Sequence, residues 1–222
     1  MNYLVNPHLE KFFNETLYFH GSDQLEKLSR AKIKNFLSFP YPISYKINSR
    51  GFRDNDWPSD TSNVIWCLGD SATFGFGSPL EHTWSSILQL KSRRRCLNLG
   101  VEGASNILLS KMAKQIIDNY DPKVMVIMWS FFHRRHKDPW EFIHFAGGSY
   151  DEDLQVFNQC YEEVNYFNTK CTIINLLIPT QSPDNLNSPI FHTSQVDFAR
   201  DAYHFDYKTA EIYVEHILSK IS

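Results

Sequence analysis

The chain has 222 residues, of which 42% are hydrophobic and 21% are charged, and its formal net charge is -3. This composition excludes an intrinsically disordered chain, and the small negative charge provides no overall basic field for binding nucleic acid. No apolar run approaches the roughly 18 residues that a membrane-spanning helix needs. We therefore expect a soluble globular protein with one domain and room for an extension.

Two features bear on the compartment of the protein. The start of the chain lacks the basic and apolar regions of a signal peptide, so we expect a cytoplasmic protein, with release by lysis or association with a virion as open alternatives. The cysteines are far apart and lack the spacing of a zinc site, and three of them lie in apolar runs, which predicts buried free thiols. They are Cys67, Cys96, Cys160 and Cys171.

The first part of the chain differs from the rest, and we predict an N-terminal extension over residues 1–60 and a main domain over residues 61–222. The extension is rich in aromatic residues. It could cover an edge of the sheet, form part of a substrate cleft or bind another subunit, and the sequence leaves these alternatives open. Its predicted elements are short helices at 9–19 and 23–36, a strand at 43–47 and a turn at 48–51.

The main domain alternates short apolar runs with helical patterns. The alternation predicts an α/β fold with a mainly parallel sheet and helices on both of its faces. In such a sheet, functional sites form beyond the carboxyl ends of the strands. The predicted strands lie at 64–68, 95–99, 123–129 and 171–178, and the predicted helices at 80–90, 105–120, 151–167 and 207–221.

The first of these strands ends in a glycine-bracketed turn that contains Asp70 and Ser71. A serine in such a turn can be exposed to substrate, and its own N–H can point at the same reacting atom. To act as a nucleophile it needs a nearby base and donors for the developing oxyanion. An ordinary turn that begins a helix explains the same residues, so this motif alone leaves both interpretations open.

Two further motifs stand at comparable positions. Gly103 follows the second strand, where a glycine lets a backbone N–H approach a ligand closely, although an ordinary strand-to-helix loop also fits. Asp201 and His204 precede the last predicted helix. At this spacing the carboxylate can reach the imidazole, fix its tautomer and leave the other nitrogen for a serine proton.

Together these motifs, in this order, resemble the SGNH, or GDSL, hydrolase superfamily over about residues 62–222. The segment from Ile47 to Arg53 also resembles a stretch found upstream of the catalytic domain in microbial and phage-type members. The residues that match the motifs of this family most clearly are Gly69, Asp70, Ser71, Asn98, Gly103, Asp201 and His204.

The resemblance implies a flavodoxin-like three-layer α/β/α sandwich that hydrolyses esters or transfers acyl groups without a metal or organic cofactor. Ser71 would be the nucleophile, His204 the general base and then acid, and Asp201 its orienting partner. The backbone N–H groups of Ser71 and Gly103 would bind the oxyanion. Asp70 would support the turn rather than transfer a proton.

The sequence departs from the pattern of the family in its third block, at the end of the third strand. In the family, this block usually supplies an asparagine side chain as a hydrogen-bond donor to the oxyanion. The corresponding stretch here has no asparagine, and Ser130 is the nearest hydrogen-bond donor, with Arg134 able to reach back from the loop. The loss of one oxyanion donor can cost roughly a hundredfold or more in rate. Either a substitute donor exists, or the activity is low or absent.

The loop at 131–137 is basic and aromatic. It could form a wall that grips an anionic or sugar substrate, with Arg134 and Asp70 as binding residues, or be a solvated loop whose aromatic rings rest on the body of the protein. His133 and His136 have no matching third ligand, so we expect no metal site.

Three hypotheses for the function follow. The first is a serine esterase that acts on a small ester, such as an O-acetylated carbohydrate. The second is a binding or assembly protein that keeps the fold and has lost efficient chemistry, and the third is an acyltransferase with the same triad. The sequence does not indicate the oligomeric state, and we expect no nucleic-acid partner.

Overall fold

The computed structural model describes residues 2–30, 41–134, 140, 148–181, 186 and 189–221. The strands are β1 (Thr16–Leu17), β2 (Tyr45–Lys46), β3 (Ile65–Gly69), β4 (Cys96–Gly100), β5 (Val124–Trp129) and β6 (Thr172–Leu177). The α-helices are α1 (Leu25–Arg30), α2 (Ser71–Phe74), α3 (Trp84–Ser92), α4 (Asn106–Tyr120), α5 (Tyr150–Asn165) and α6 (Tyr207–Ile221). Short 3-10 helices lie at Pro7–Phe12, Gly21–Asp23, Leu80–His82 and Tyr166–Thr169.

The central sheet contains the four strands that the apolar runs predicted. Their order is β4-β3-β5-β6, and every pairing between neighbours is parallel. A parallel bridge from Leu176 to Phe191 continues the sheet by one residue beyond β6. Because the strands are parallel, β3, β4 and β5 all end at the same edge of the sheet, where Ser71, Gly103 and Ser130 follow them.

Alternate residues of the strands enter two separate hydrophobic cores, because successive side chains of a strand point to opposite faces. One core joins Trp66 and Leu68 to residues of α4 and α5. The other joins Ile65 and Cys67 to residues of α3 and α6. Helices therefore cover both faces, and the predicted three-layer α/β/α fold is confirmed, with the strand order of a flavodoxin-like sheet.

Side-chain caps determine where several helices begin. The Ser105 hydroxyl accepts a hydrogen bond from the Leu108 N–H at 3.2 Å, which confirms it as the N-cap of α4. The helix predicted at 80–90 is interrupted, because Thr83 is extended and its side chain caps α3 instead. The last predicted helix, at 207–221, coincides with α6.

The N-terminal segment forms a small antiparallel pair, β1 and β2. The helix predicted at 9–19 is wrong over its second half, because Thr16 and Leu17 pair with β2 as a strand. Of the helix predicted at 23–36, α1 accounts for Leu25–Arg30, and residues 31–40 lie outside the described part. The division of the chain at residue 60 stays a prediction.

Aromatic residues join this segment to the loop after Ser71. Phe74 and Phe76 belong to the same buried cluster as Tyr45 and Ile47. The Tyr45 ring stacks on Phe74 with centroids 5.9 Å apart. The N-terminal segment therefore packs against side chains of α2, which begins at Ser71, and of the loop that follows α2.

All four cysteines are buried free thiols, which confirms the prediction for the three that lie in apolar runs. In the described part of the chain, no helix has the length and apolar character needed to cross a bilayer. Nor do the described residues contain a group of three or more side chains of the types that hold a metal ion.

Candidate active site

The turn after β3 fixes Ser71 at the start of α2. Asp70 caps this helix, since its Oδ1 accepts a hydrogen bond from the Ala72 N–H at 2.9 Å. Gly75 ends the helix at φ +81°, a conformation that favours glycine. A side chain at Gly69 would stand 2.0 Å from Thr73 Oγ1, so the close approach of strand and helix requires glycine there.

Ser71, His204 and Asp201 form a continuous hydrogen-bonded chain. Ser71 Oγ lies 2.8 Å from His204 Nε2, and His204 Nδ1 lies 2.6 Å from Asp201 Oδ2. The three residues retain only 8%, 7% and 6% of their exposed area. Three residues that the sequence placed at separate strand and helix ends thus meet with the geometry of a serine nucleophile, its base and an orienting carboxylate.

The carboxylate sets the tautomer of the imidazole. Burial raises the pKa of Asp201, but hydrogen bonds and charge from His204, followed by the Ser22 hydroxyl, outweigh burial and hold the pKa below its usual value. Asp201 is therefore ionised at neutral pH and can only accept. Neutral His204 then carries its proton on Nδ1, and its Nε2 lone pair can accept the Ser71 proton.

Local backbone and ring contacts hold the imidazole in place. Ala202 adopts a left-handed conformation at φ +55°, which tightens the turn between Asp201 and His204. The His204 N–H donates to Asp201 Oδ1 at 3.1 Å. The rings of Phe76 and Tyr203 meet the imidazole edge-on, with centroids 5.7 and 5.0 Å away.

The end of β4 and the loop that follows it support the turn that carries Ser71. A side chain at Gly100 would lie 2.1 Å from the Phe74 backbone nitrogen. Asn98 Nδ2 donates to the Thr73 carbonyl at 2.8 Å, so this side chain braces α2. Gly103 follows in the loop at φ +69°, a conformation that favours glycine.

Asp70, Ser130 and Arg134, which we call the Asp70 cluster, pair with one another. The Ser130 hydroxyl donates to Asp70 Oδ2 at 2.9 Å, and Arg134 Nη1 lies 2.6 Å from the same oxygen and 2.7 Å from Ser130 Oγ. Ser130 is fully buried. Its proton therefore serves Asp70, and the hydroxyl is not free to act as the oxyanion donor that the sequence suggested.

Asn106, which the sequence reasoning missed, holds the loop that carries this cluster. Its Oδ1 accepts from the Ser130 N–H at 2.8 Å, and its Nδ2 donates to the Ser130 carbonyl at 3.2 Å. Both polar atoms of the Asn106 side chain are thereby hydrogen-bonded to the backbone of Ser130. The sequence offered one signal for Asn106, namely its position in the first turn of the helix that follows Gly103.

A second group that the sequence missed comes from the N-terminal segment. The Ser22 hydroxyl donates to Asp201 Oδ2 at 2.6 Å. The next residue, Asp23, pairs with Arg200, whose Nε lies 2.8 Å from Asp23 Oδ1. The N-terminal segment therefore contacts the loop that carries Asp201, although none of its described residues lines the cleft over Ser71 and no sequence motif marks the contact.

A cleft of about 280 Å³, open mouth included, lies over Ser71 and His204. Most of the area of its walls is apolar, and Thr180, Gln195 and Tyr203 add polar groups to those of Asp70, Ser71 and His204. The lining residues are Asp70, Ser71, Ala72, Phe131, Ile178, Pro179, Thr180, Gln195, Tyr203, His204 and Phe205. The size and apolar character of the cleft suit a small acyl group.

The basic loop is described only in part. Phe132 is buried, so at least one aromatic ring of the loop rests on the body of the protein. Arg134 faces Asp70 rather than solvent, with 11% of its side chain exposed. His136 lies outside the described residues.

Comparison with solved structures found several similar chains. TesA is 13% identical over 72% of this chain and 98% of its own, with a TM-score of 0.49. The esterase EstA from Pseudoalteromonas sp. is 12% identical over 72% of this chain and 97% of its own, with a TM-score of 0.49. The SGNH-hydrolase family esterase AlinE4 is 18% identical over 73% of this chain and 75% of its own, with a TM-score of 0.38.

The chain is similar in structure to SGNH and GDSL esterases. No family model matches the sequence, and the search of curated proteins found no match. At such low identity, the similarity concerns the fold, and the roles of individual residues have to be argued from this chain's own geometry.

Proposed function

We propose that the protein is a serine-dependent ester hydrolase in which Ser71 is the nucleophile, His204 the general base and acid, and Asp201 the orienting carboxylate. The observation that carries the proposal is the chain of two short hydrogen bonds, 2.8 Å and 2.6 Å, at the floor of a cleft. A serine that lies in a cleft and bonds to a carboxylate-oriented imidazole is the arrangement that nucleophilic catalysis needs.

The reaction proceeds in two halves. Ser71 Oγ bonds to the acyl carbon while its proton passes to His204 Nε2, and the carbonyl electron pair moves onto oxygen. The backbone N–H groups of Ser71 and Gly103 stabilise that oxyanion. Cleavage of the carbon–alkoxy bond then releases the alcohol, which takes the proton from His204. Water repeats the same steps on the acyl-enzyme, releasing the acid and restoring Ser71.

We propose a short acyl group, such as acetyl, on a carbohydrate. The modest volume and apolar walls of the cleft favour a short acyl chain. Tyr203, with 52% of its area exposed, stands at the cleft and offers an aromatic face for a sugar ring. Acyl transfer to a sugar hydroxyl would use the same acyl-enzyme and would be detected by product analysis with acceptor sugars added.

A specific observation favours a second candidate, a binding protein with little or no chemistry. The Ser130 hydroxyl donates to Asp70, and the Asn106 amide is bonded to the backbone of the same loop. Neither side chain replaces the oxyanion donor that the family usually supplies. An enzyme built this way relies on its two backbone donors.

Hydrolysis of p-nitrophenyl acetate by wild type and by Ser71→Ala separates the two candidates. We expect the wild type to turn over the ester and Ser71→Ala to lose at least about a thousandfold in kcat, as removal of a nucleophile does. Equal rates in the two proteins would contradict the hydrolase and favour the binding protein. Ser49→Ala, which changes an exposed serine, is the matched control.

A further inference from the structure

We propose that Ser22 is a positioning residue for Asp201, so that the N-terminal segment completes the catalytic site. The proposal rests on the proposed hydrolase function and deepens it. It assigns a catalytic purpose to a part of the chain that lies ahead of the three family motifs.

The contacts of the Asp201 carboxylate show what Ser22 contributes. Oδ1 accepts two backbone N–H groups, from Tyr203 and His204, each at 3.1 Å. Oδ2 accepts from the Ser22 hydroxyl at 2.6 Å and faces His204 Nδ1 at 2.6 Å. Ser22 therefore bonds to the same oxygen that orients the imidazole. Its hydroxyl both fixes that oxygen and withdraws charge from it.

The position of Ser22 is itself fixed by its neighbours. Gly21 has φ +59°, which lets the chain turn sharply there. Asp23 is fully buried and pairs with Arg200. Two successive residues of the N-terminal segment, Ser22 and Asp23, thus bind two successive residues of the catalytic loop, Arg200 and Asp201. These two neighbouring contacts fix the position of the N-terminal segment along the catalytic loop, which simple coverage of the loop would not do.

The same network reaches the loop that follows Ser71. Asp23 Oδ2 accepts from the Tyr45 hydroxyl at 2.6 Å, and the Tyr45 oxygen accepts from the Gly77 N–H at 2.9 Å. The Gly77 carbonyl accepts from the Arg200 N–H at 2.8 Å. The segment therefore holds both loops of the triad, the one after the nucleophile and the one with the carboxylate.

The hydrogen bond also influences the proton affinity of the triad. Removal of the Ser22 hydroxyl concentrates negative charge on Oδ2, so Asp201 stabilises the imidazolium more strongly. The Ser22 hydroxyl is also one of the groups that hold the pKa of Asp201 below its usual value. The pH dependence of ester hydrolysis should therefore change when this hydroxyl is removed, and a role confined to packing would leave that pH dependence unchanged.

The test compares the wild type with Ser22→Ala, Ser22→Cys and Ser22→Thr in ester hydrolysis across pH. For Ser22→Ala we expect kcat to fall about tenfold, the effect of one hydrogen bond to a charged group, with KM changed less than about twofold. The acidic limb of the kcat/KM profile should shift in pH. Ser22→Cys keeps the volume with a weaker donor and should show the same shift, while Ser22→Thr restores the hydroxyl and the wild-type profile.

Ser49→Ala is the matched control, because Ser49 also donates to a carboxylate, Asp56, at 2.6 Å but is exposed and outside the site. It should leave kcat and the pH profile unchanged. A wild-type kcat and acidic limb in Ser22→Ala and Ser22→Cys would overturn the proposal while Ser71-dependent turnover still supports the hydrolase. An inactive wild type would overturn the hydrolase and, with it, this proposal.

Discussion

Two polar clusters lie side by side, one containing Ser71 and the other containing Asp70, and they are built in opposite ways. The triad, Ser71, His204 and Asp201, ends on a hydroxyl that lines an open cleft. The Asp70 cluster closes on itself, because the Ser130 proton and the Arg134 Nη1 are both directed at Asp70 Oδ2. Both clusters contain a buried carboxylate and a hydrogen-bonded serine.

The difference lies in what remains available to a substrate. In the triad, Ser71 Oγ can form a bond to the acyl carbon of a substrate, because the His204 imidazole can accept the proton that the hydroxyl loses. In the Asp70 cluster the serine bonds directly to a carboxylate that a permanently charged guanidinium also pairs with. The first arrangement suits chemistry, and the second suits support of the turn that carries Ser71.

The substitution Asp201→Asn in the triad should cause the largest loss of activity of the changes considered for the two clusters. A neutral amide removes the charge that stabilises the imidazolium and permits the wrong tautomer, so kcat should fall about a thousandfold to ten-thousandfold. Steady-state hydrolysis of p-nitrophenyl acetate measures the loss. Asp56→Asn, at an exposed carboxylate that also accepts from a serine, should keep full activity. A change of less than tenfold in Asp201→Asn would contradict the role given to the triad.

Arg134→Met has a smaller expected effect and distinguishes support from substrate binding. Loss of the cation leaves Asp70 buried without its charged partner, which should lower the free energy of unfolding by roughly 3 kcal/mol. We expect kcat to fall about tenfold as the turn shifts, because misplaced reacting groups lose rate. Urea unfolding and steady-state kinetics measure the two effects. A raised KM with wild-type stability would instead support Arg134 as a substrate ligand.

The smallest expected effect concerns His20, near Ser22 in the N-terminal segment. Burial, followed by the charges of Lys27, Lys11 and Arg53, lowers the pKa of His20 below its usual value. The unfolded chain therefore takes up this proton at a higher pH than the folded one. Stability from this group is present above about pH 6.5 and is lost as the pH falls toward the folded pKa.

His20→Phe removes this titration and keeps an aromatic ring among Phe12, Tyr45, Phe74 and Phe76. We expect the variant to lose less stability than the wild type between pH 7.5 and pH 5, as measured by urea unfolding at both values. The comparison at pH 7.5 serves as the control for packing. Parallel losses in the two proteins would show that His20 does not titrate in this way.

Sequence patterns predicted the parts of the molecule that depend on local order. Each apolar run became a strand, since a strand covered on both faces must be apolar throughout. The sequence singled out Ser71 and the pair Asp201 and His204 because they stand in motifs that resemble those of a family, and their catalytic roles stay a prediction. The helix predicted at 9–19 was wrong where Thr16 and Leu17 pair with a distant strand, because tertiary pairing outweighed the local pattern.

The missed contacts join residues that lie far apart in the chain. Ser22 and Asp201 are separated by 179 positions, and Asp70 and Arg134 by 64. No local pattern marks a serine that will meet a carboxylate from another loop. The stretch that corresponds to the third block has no asparagine in the sequence, and only the fold shows that Ser130 is already bonded to Asp70.

Covalent labelling tests the central claim most directly. A fluorophosphonate reacts with a serine that an adjacent base activates, so the folded protein should gain one adduct, mapped by peptide mass spectrometry to Ser71. The adduct should be absent in Ser71→Ala and slowed strongly in Asp201→Asn. A folded wild-type protein that takes up no label at Ser71, under conditions that label a known serine esterase, would contradict the account.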